Sequence, residues 1–292
     1  MDLRITGNWK ELSKPLSKTD LQQNILEIET SAGLFILKIR DSDIDLKKSL
    51  SLLKTLSKAG IPVEVPIETI SGDLCVSEGD KRYYLFRRIV GDPINTGFEH
   101  INCEMFGNAI ARLHHALINI AVDMKFTEMS FVDKLPWLTG GRRFPSLGNS
   151  YLLFLSDTLE RIESLQKHII HRDPHPGNII FNNGKLTGFI DFDLATMGPR
   201  IFDIVYCSTA MLSDLFNGQR DSWICKINEI TEGYQRLCPL SDAERSLLIP
   251  TAIYIQQLFI RFYEIQGDDK KAAFNAMIAK WLFEAKEELQ IS

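Results

Sequence analysis

Residues 24–40 are rich in apolar, strand-forming positions and end in Leu34-Phe35-Ile36-Leu37-Lys38-Ile39-Arg40, which predicts strand structure. Asp41-Ser42-Asp43 breaks the pattern and predicts a cap for a helix beginning near Ile44. In that helix Leu46, Leu50, Leu53 and Leu56 recur at spacings of four and three, forming one apolar face and leaving Lys47, Lys54 and Lys58 for water. Gly60-Ile61-Pro62 ends it. Further strands are predicted around Ile67 to Ile70, Leu74 to Ser77 and Tyr83 to Val90, the last two joined by a turn at Glu78-Gly79-Asp80. Gly91-Asp92-Pro93 then punctuates the chain, so residues 1–90 read as a small strand-rich lobe and residues 91–292 as a second one.

Beyond that boundary the period changes to that of a helix. Met105, Phe106, Ala109, Ile110, Leu113 and Leu117 mark one helix, and another is predicted between about Tyr151 and Gln166. Residues 118–148 are irregular. Helical periodicity returns over 202–216, 222–237, 242–265 and 270–288. The fold class is therefore α+β, a mixed small lobe leading into a larger, mainly helical one.

Composition narrows the setting without choosing a chemistry. The 292 residues are 45% hydrophobic and 24% charged, enough for a substantial core. A formal charge of −5 supplies no positive field to collect nucleic-acid phosphates, so no nucleic-acid partner is expected. The five cysteines are widely spaced, lack a CxxC unit and make an odd number, which suggests free thiols in a reducing compartment. The polar amino end does not read as a secretory leader, and no apolar stretch has the length of a membrane span. A cytoplasmic protein with no membrane association is expected.

The chemistry concentrates in His171-Arg172-Asp173-Pro174-His175-Pro176-Gly177-Asn178-Ile179-Ile180-Phe181 and the following Gly188-Phe189-Ile190-Asp191-Phe192-Asp193. Asp173 and Asn178 stand five residues apart in a loop, and Asp191 follows thirteen residues after Asn178. Phosphoryl transfer uses one carboxylate to place the attacking hydroxyl and hard oxygen ligands to hold magnesium against phosphates. Asp173 fits the first role, with loop capping as the plain alternative. Asn178 and Asp191 fit the second, because Asn182-Asn183-Gly184 can turn the chain between two short strands and return Asp191 towards Asn178. Asp193 reads as an outer residue or a substrate contact.

His171 and His175 have the spacing of a helical metal pair, but Pro174, Pro176 and Gly177 make the segment a loop. His171 is assigned to orienting that loop. Arg172 is open between phosphate contact and a structural ion pair. Lys38 is a candidate for neutralising the phosphates of ATP. No GxGxxG or Walker A sequence surrounds it.

On these residues, with Ile36-Leu37-Lys38, Ala59-Gly60-Ile61-Pro62, Ile110-Ala111-Arg112-Leu113-His114 and Gly198-Pro199-Arg200-Ile201-Phe202-Asp203, the chain resembles the phosphotransferase family of aminoglycoside phosphotransferases and choline, homoserine and fructosamine kinases. The resemblance implies a bilobal protein-kinase-like fold with nucleotide between the lobes. It implies Asp173 as the catalytic aspartate, Asn178 and Asp191 as the Mg²⁺ pair, Lys38 as the phosphate-contacting lysine and Asp203 as the buttress of the catalytic loop. The hinge segment, with Phe86, Arg87, Arg88 and Ile89, would contact adenine. One position departs from the family: a glutamate on the following helix commonly pairs with the lysine, and Ser49 stands there, with Asp45 one turn earlier as a substitute.

The activity expected is transfer of the γ-phosphoryl of ATP, or of GTP, to a hydroxyl of a small molecule. A protein Ser/Thr kinase and a noncatalytic nucleotide-binding module are the alternatives. The acceptor pocket is expected among residues 118–148 and the late helices, where Asp193, Tyr254, Gln257, Arg261 and Glu264 are candidate polar contacts, each more ordinary as a surface residue. Oligomeric state is not legible.

Overall fold

The computed structural model describes residues 3–12, 15–22, 24–41, 46–120 and 125–289. In chain order the elements are α1 (Leu3–Thr6), β1 (Pro15–Gln22), β2 (Ile25–Thr30), β3 (Gly33–Asp41), α2 (Lys47–Lys58), β4 (Pro66–Ile67), β5 (Val76–Glu78), β6 (Lys81–Arg87), β7 (Asp92–Pro93) and α3 (Glu104–Asn119). They continue with α4 (Leu135–Thr139), α5 (Gly148–Glu163), β8 (Lys167–Ile170), β9 (Ile179–Asn182), β10 (Lys185–Phe189), β11 (Thr196–Pro199), α6 (Ile201–Gln219), α7 (Trp223–Gln235), α8 (Asp242–Ser246), α9 (Leu248–Ile265) and α10 (Asp269–Ala285). The chain divides into two compact units. One takes residues up to Asp92 with Ile180–Asp193, the other Pro93–Ala121, Lys125–Ile179 and the chain from Leu194 on. A small β-sheet lobe and a larger helical lobe make up the bilobal kinase-like fold.

The first unit is built on an antiparallel sheet of order β1-β2-β3-β6-β4, with β5 also paired to β6. Alternation along β3 decides what each face carries. Phe35 and Leu37 join Ile28 and Leu85 in a core closed by Ile5, Trp9 and Leu12. The Trp9 indole N–H donates to the Ile67 carbonyl at 3.1 Å, satisfying the polar edge of a fully buried ring. Ile36, Lys38 and Arg40 therefore fall on the opposite face.

The α2 leucines turn inward as their spacing predicts, with Leu50, Leu52, Leu53 and Leu56 all buried. The predicted cap at Asp41-Ser42-Asp43 and the helix start near Ile44 lie largely outside the described residues. The β9–β10 hairpin turns through Asn183 and Gly184, whose φ angles of 48° and 72° are the left-handed pair a two-residue type I′ turn requires. With β7 it forms a three-stranded sheet of order β10-β9-β7.

In the second unit α3 packs on α7, α6 on α7 and α9, and α10 on α9. A two-stranded ladder, β8 against β11 with Ile170 opposite Thr196, brackets the loop that carries Asp173. The single helix predicted over 242–265 is two, broken at Leu247. Pro250 has no N–H to continue the ladder from α8, but in the first turn of α9 it is tolerated. A capping box at Ser241 and Glu244 starts the shorter piece. Among the described residues, no helix is long and apolar enough to cross a membrane.

Candidate active site

In the first unit the site begins with an ammonium in a sheet. The side chain of Lys38 is only 7% exposed, and its Nζ donates to Glu64 Oε1 at 2.7 Å and lies 3.6 Å from Asp191 Oδ1. Burial alone would lower a lysine pKa. Here Glu64, Asp191 and Asp193 outweigh it, so Lys38 is held above its ordinary value and stays charged.

Glu64 carries a second duty, because its Oε1 also accepts the Asp191 backbone N–H at 2.7 Å. Asp191 has φ of 65°, uncommon for a residue other than glycine, and this bond helps hold it there. The Glu64 segment is itself fixed, with the Glu64 N–H bound to the Phe189 carbonyl and the Phe189 N–H to the Pro62 carbonyl. Arg40, two residues along β3 from Lys38, donates through Nε to Asp193 Oδ2 at 2.8 Å and lies 3.5 Å from Asp191 Oδ1. Two cations and three carboxylates thus form one cluster of largely buried side chains.

The partner of Lys38 corrects the sequence reading. Ser49 is buried on α2, and Asp45 lies outside the described residues. The carboxylate comes from Glu64, after the helix. Its signal in the sequence was a lone acid in the apolar, proline-bounded run Pro62-Val63-Glu64-Val65-Pro66. Arg40 was recoverable from the period-two alternation that puts it beside Lys38.

In the second unit the loop after β8 is pinned by a fully buried carboxylate. Asp203, in the first turn of α6, accepts the backbone N–H groups of His171 and Arg172, each at 2.8 Å. The same carboxylate accepts from His114 Nε2 at 2.9 Å, and His114 Nδ1 lies 2.9 Å from the Tyr234 hydroxyl. A carboxylate only accepts, so Nε2 carries a proton. Arg172 is thereby held at φ of 71°.

Within the loop, Asn178 Nδ2 donates to the Asp173 carbonyl at 2.8 Å and to its Oδ2 at 3.3 Å. The Asp173 N–H donates to His171 Nδ1 at 3.3 Å, and His175 Nδ1 accepts from the Gly177 N–H at 3.0 Å. Both histidines are used inside the loop. Burial first, and then the charge of Asp173, push the Tyr206 phenol above its ordinary value, a proximity that no local motif announced.

The remaining predicted positions have structural partners. Phe86 is buried with the Lys38 ammonium 5.2 Å from its ring centroid, and Arg87 lies over Phe35. The Arg88 N–H donates to the Leu34 carbonyl at 3.0 Å, while its guanidinium pairs with Glu27 at 2.7 Å. Ile89 packs against Gly188. Tyr254 and Gln257 are buried in α9 instead of lying at the surface, because the helix is enclosed along most of its length. The Gln257 amide donates to the Leu138 carbonyl at 2.9 Å. Arg261 donates to the Trp137 carbonyl at 3.1 Å and pairs with the buried Glu264.

The model of the phosphotransferase enzyme family matches residues 20–240, and the chain belongs to that family. It is a small-molecule kinase that moves a phosphoryl group from a nucleotide to a hydroxyl. Homoserine kinase of Polaromonas naphthalenivorans (strain CJ2) is 27% identical over 229 residues, 76% of this chain and 72% of the relative. An amicoumacin kinase solved with AMP-PNP and Ca²⁺ has the same fold, with a TM-score of 0.73 at 16% identity over 91% of this chain and 89% of the other. A microcompartment-associated aminopropanol kinase gives 0.73 at 14% identity, covering 98% and 97%.

Proposed function

We propose that the γ-phosphoryl group of ATP, with GTP as the alternative donor, is transferred by this chain to the hydroxyl of a small amino-bearing alcohol. Residues 1–90 serve mainly the nucleotide, and residues 91–292 carry the catalytic aspartate and the acceptor. The observation that carries the reading is the Asp203-clamped loop, on which Asn178 and Asp173 are already hydrogen-bonded to one another.

Asp173 places the acceptor oxygen and takes its proton as the new P–O bond forms and the bond to the leaving diphosphate breaks. Lys38 neutralises phosphate charge, and the backbone near Phe86, Arg87, Arg88 and Ile89 borders adenine. Asn178 and Asp191 offer one amide oxygen and one carboxylate, the hard, sparse donor set that suits Mg²⁺ completed by phosphates and water. When bound there, the ion would neutralise charge on the phosphate oxygens. Asp191 Oδ1 stands 3.6 Å from the Lys38 ammonium and 3.5 Å from the Arg40 guanidinium.

The noncatalytic alternative drew its force from a missing partner for Lys38, and Glu64 supplies one. The relatives act on hydroxyl compounds that their names describe, which makes homoserine the first acceptor to try. Five free cysteines, three of them buried, support a reducing cytosolic setting. The test is a mass-spectrometric screen of amino alcohols and other small hydroxyl compounds with Mg²⁺ and either nucleotide. Gain of one phosphoryl mass in an acceptor, matched by nucleoside diphosphate, is the result expected. No product and no nucleotide binding across a validated panel would refute the reading.

A further inference from the structure

Asp191 and Asp193 are separated by one residue, and in a strand their carboxylates would point to opposite faces. The chain leaves strand geometry there. Phe192–Leu194 is a single 3₁₀ turn, Asp191 stands at φ of 65°, and one guanidinium reaches both side chains. Arg40 Nε donates to Asp193 Oδ2 at 2.8 Å, and Arg40 Nη2 lies 3.5 Å from Asp191 Oδ1. We propose that Arg40 decides which divalent ion this site takes: it fills the seat between the two carboxylates, commits Asp193 to itself and leaves Asp191 as the carboxylate offered to the ion. The proposal rests on the metal assignment made above and adds its selectivity.

Two carboxylates close enough to be spanned by one guanidinium repel each other and readily share a cation. The protein supplies that cation from its own chain. Arg40 sits on β3, an interior strand paired to β2 and β6, so its side chain rises from a fixed backbone. Its third nitrogen is engaged as well, with Nη1 donating to the Ile39 carbonyl at 3.2 Å. A guanidinium engaged at all three nitrogens is a clamp, not a spare cation for phosphate. Lysine could not replace it, because an ammonium is a point charge without the planar fork. Lys38, on the same face two residues earlier, hydrogen-bonds Glu64 instead.

Removing the clamp changes the ligand set. Ca²⁺ takes about six to eight oxygen ligands in flexible geometry, whereas Mg²⁺ takes few protein ligands and keeps several waters. A second carboxylate beside Asp191, no longer neutralised, therefore favours Ca²⁺ over Mg²⁺. With Arg40 in place the set stays sparse and matched to Mg²⁺. Asp193, read from the sequence as an outer residue or a substrate contact, is on this account the anchor of the clamp.

Divalent-ion binding by the full chain tests this without any turnover. Mn²⁺ uptake is followed by electron paramagnetic resonance, with and without ADP, and Mg²⁺ and Ca²⁺ are each titrated against it. In Arg40→Gln the affinity for Ca²⁺ relative to Mg²⁺ should rise about tenfold over wild type. Adding Asp193→Asn should bring the ratio back to within about threefold of wild type, a reversal that a merely structural role for Arg40 would not give. Should Arg40→Gln fail to fold, Arg40→Lys keeps a charge without the fork and should raise the ratio about fivefold. A rise of less than about threefold in the folded variant, or one that Asp193→Asn does not reverse, would overturn the proposal. So would wild-type protein that takes up no Mn²⁺, because Asp191 would then have no ion to hold. Uptake without phosphorylation of any acceptor would refute the phosphotransfer reading alone, and the ratio would still decide the part played by Arg40.

Discussion

A lysine ammonium shielded as Lys38 is persists only beside carboxylates, and Glu64 is the one in hydrogen-bonding contact. By also accepting the Asp191 N–H, Glu64 ties the phosphate-facing cation to the backbone of the proposed metal ligand. Glu64→Ala should therefore act on both stability and turnover. Removing one partner of a buried pair costs about 3 kcal/mol or more, and the nucleotide KM should rise with loss of order at Lys38. Denaturant unfolding and initial rates against ATP check this, and a variant matching wild type in both would show that Asp191 alone suffices. Asp173, Asn178 and Asp191 stand out in the sequence as the proposed centre because their spacing lies within one short stretch of chain. Glu64 does not, since its pairing with Lys38 is set by where the segment after α2 docks on β10. His114 escaped for the same reason: through Asp203 it supports a loop far away in sequence.

Elements place these side chains by how closely they approach. Helices α3 and α7 meet at two glycines: a Cβ at Gly107 would stand 1.8 Å from the Ile230 carbonyl oxygen, and one at Gly233 would stand 2.2 Å from that of Glu104. Because α3 carries His114 and α7 carries Tyr234, this contact sets the buttress of Asp203. Gly107→Ala should cost about 1–3 kcal/mol in unfolding free energy and lower kcat through the catalytic loop. Activity and unfolding measured together check the coupling.

At the start of α8, the Arg200 guanidinium donates to Glu244 at 2.6 and 2.8 Å. Burial raises the Glu244 pKa, but Arg200 and the Ser241 N–H outweigh it, so the folded value lies below the ordinary one. Stability from this group is thus present above the ordinary value of 4.5 and is lost as pH falls through the depressed folded value. Glu244→Gln should destabilise by about 1–2 kcal/mol at neutral pH, and the gap should close in acid. Melts at pH 7 and near pH 3 would show it, and a gap that widened in acid would reverse the assignment. The helical period announced most elements correctly. It ran α8 and α9 together because a period carries no record of the break at Leu247, and it passed over β8 and β11, four-residue strands whose partners lie far apart in sequence.

At the scale of the molecule, the chain makes a small sheet unit and a larger helical unit, and the small one takes back Ile180–Asp193 late in the sequence. A cut at residue 91, read from Gly91-Asp92-Pro93, could not anticipate that return, because it depends on the Glu64 segment pairing with Phe189 and on β7 pairing with β9, both far along the chain. Family membership covers residues 20–240 and leaves α9 and α10 outside the match. The most direct test of the account is phosphoryl transfer from isotopically labelled γ-phosphate to an acceptor, followed by mass in wild type and Asp173→Asn. Labelled phosphoryl should reach the acceptor in wild type, and kcat should fall about 10²–10⁴-fold in the variant with folding and nucleotide binding retained. Equal transfer by a well-folded Asp173→Asn would contradict the mechanism at its centre.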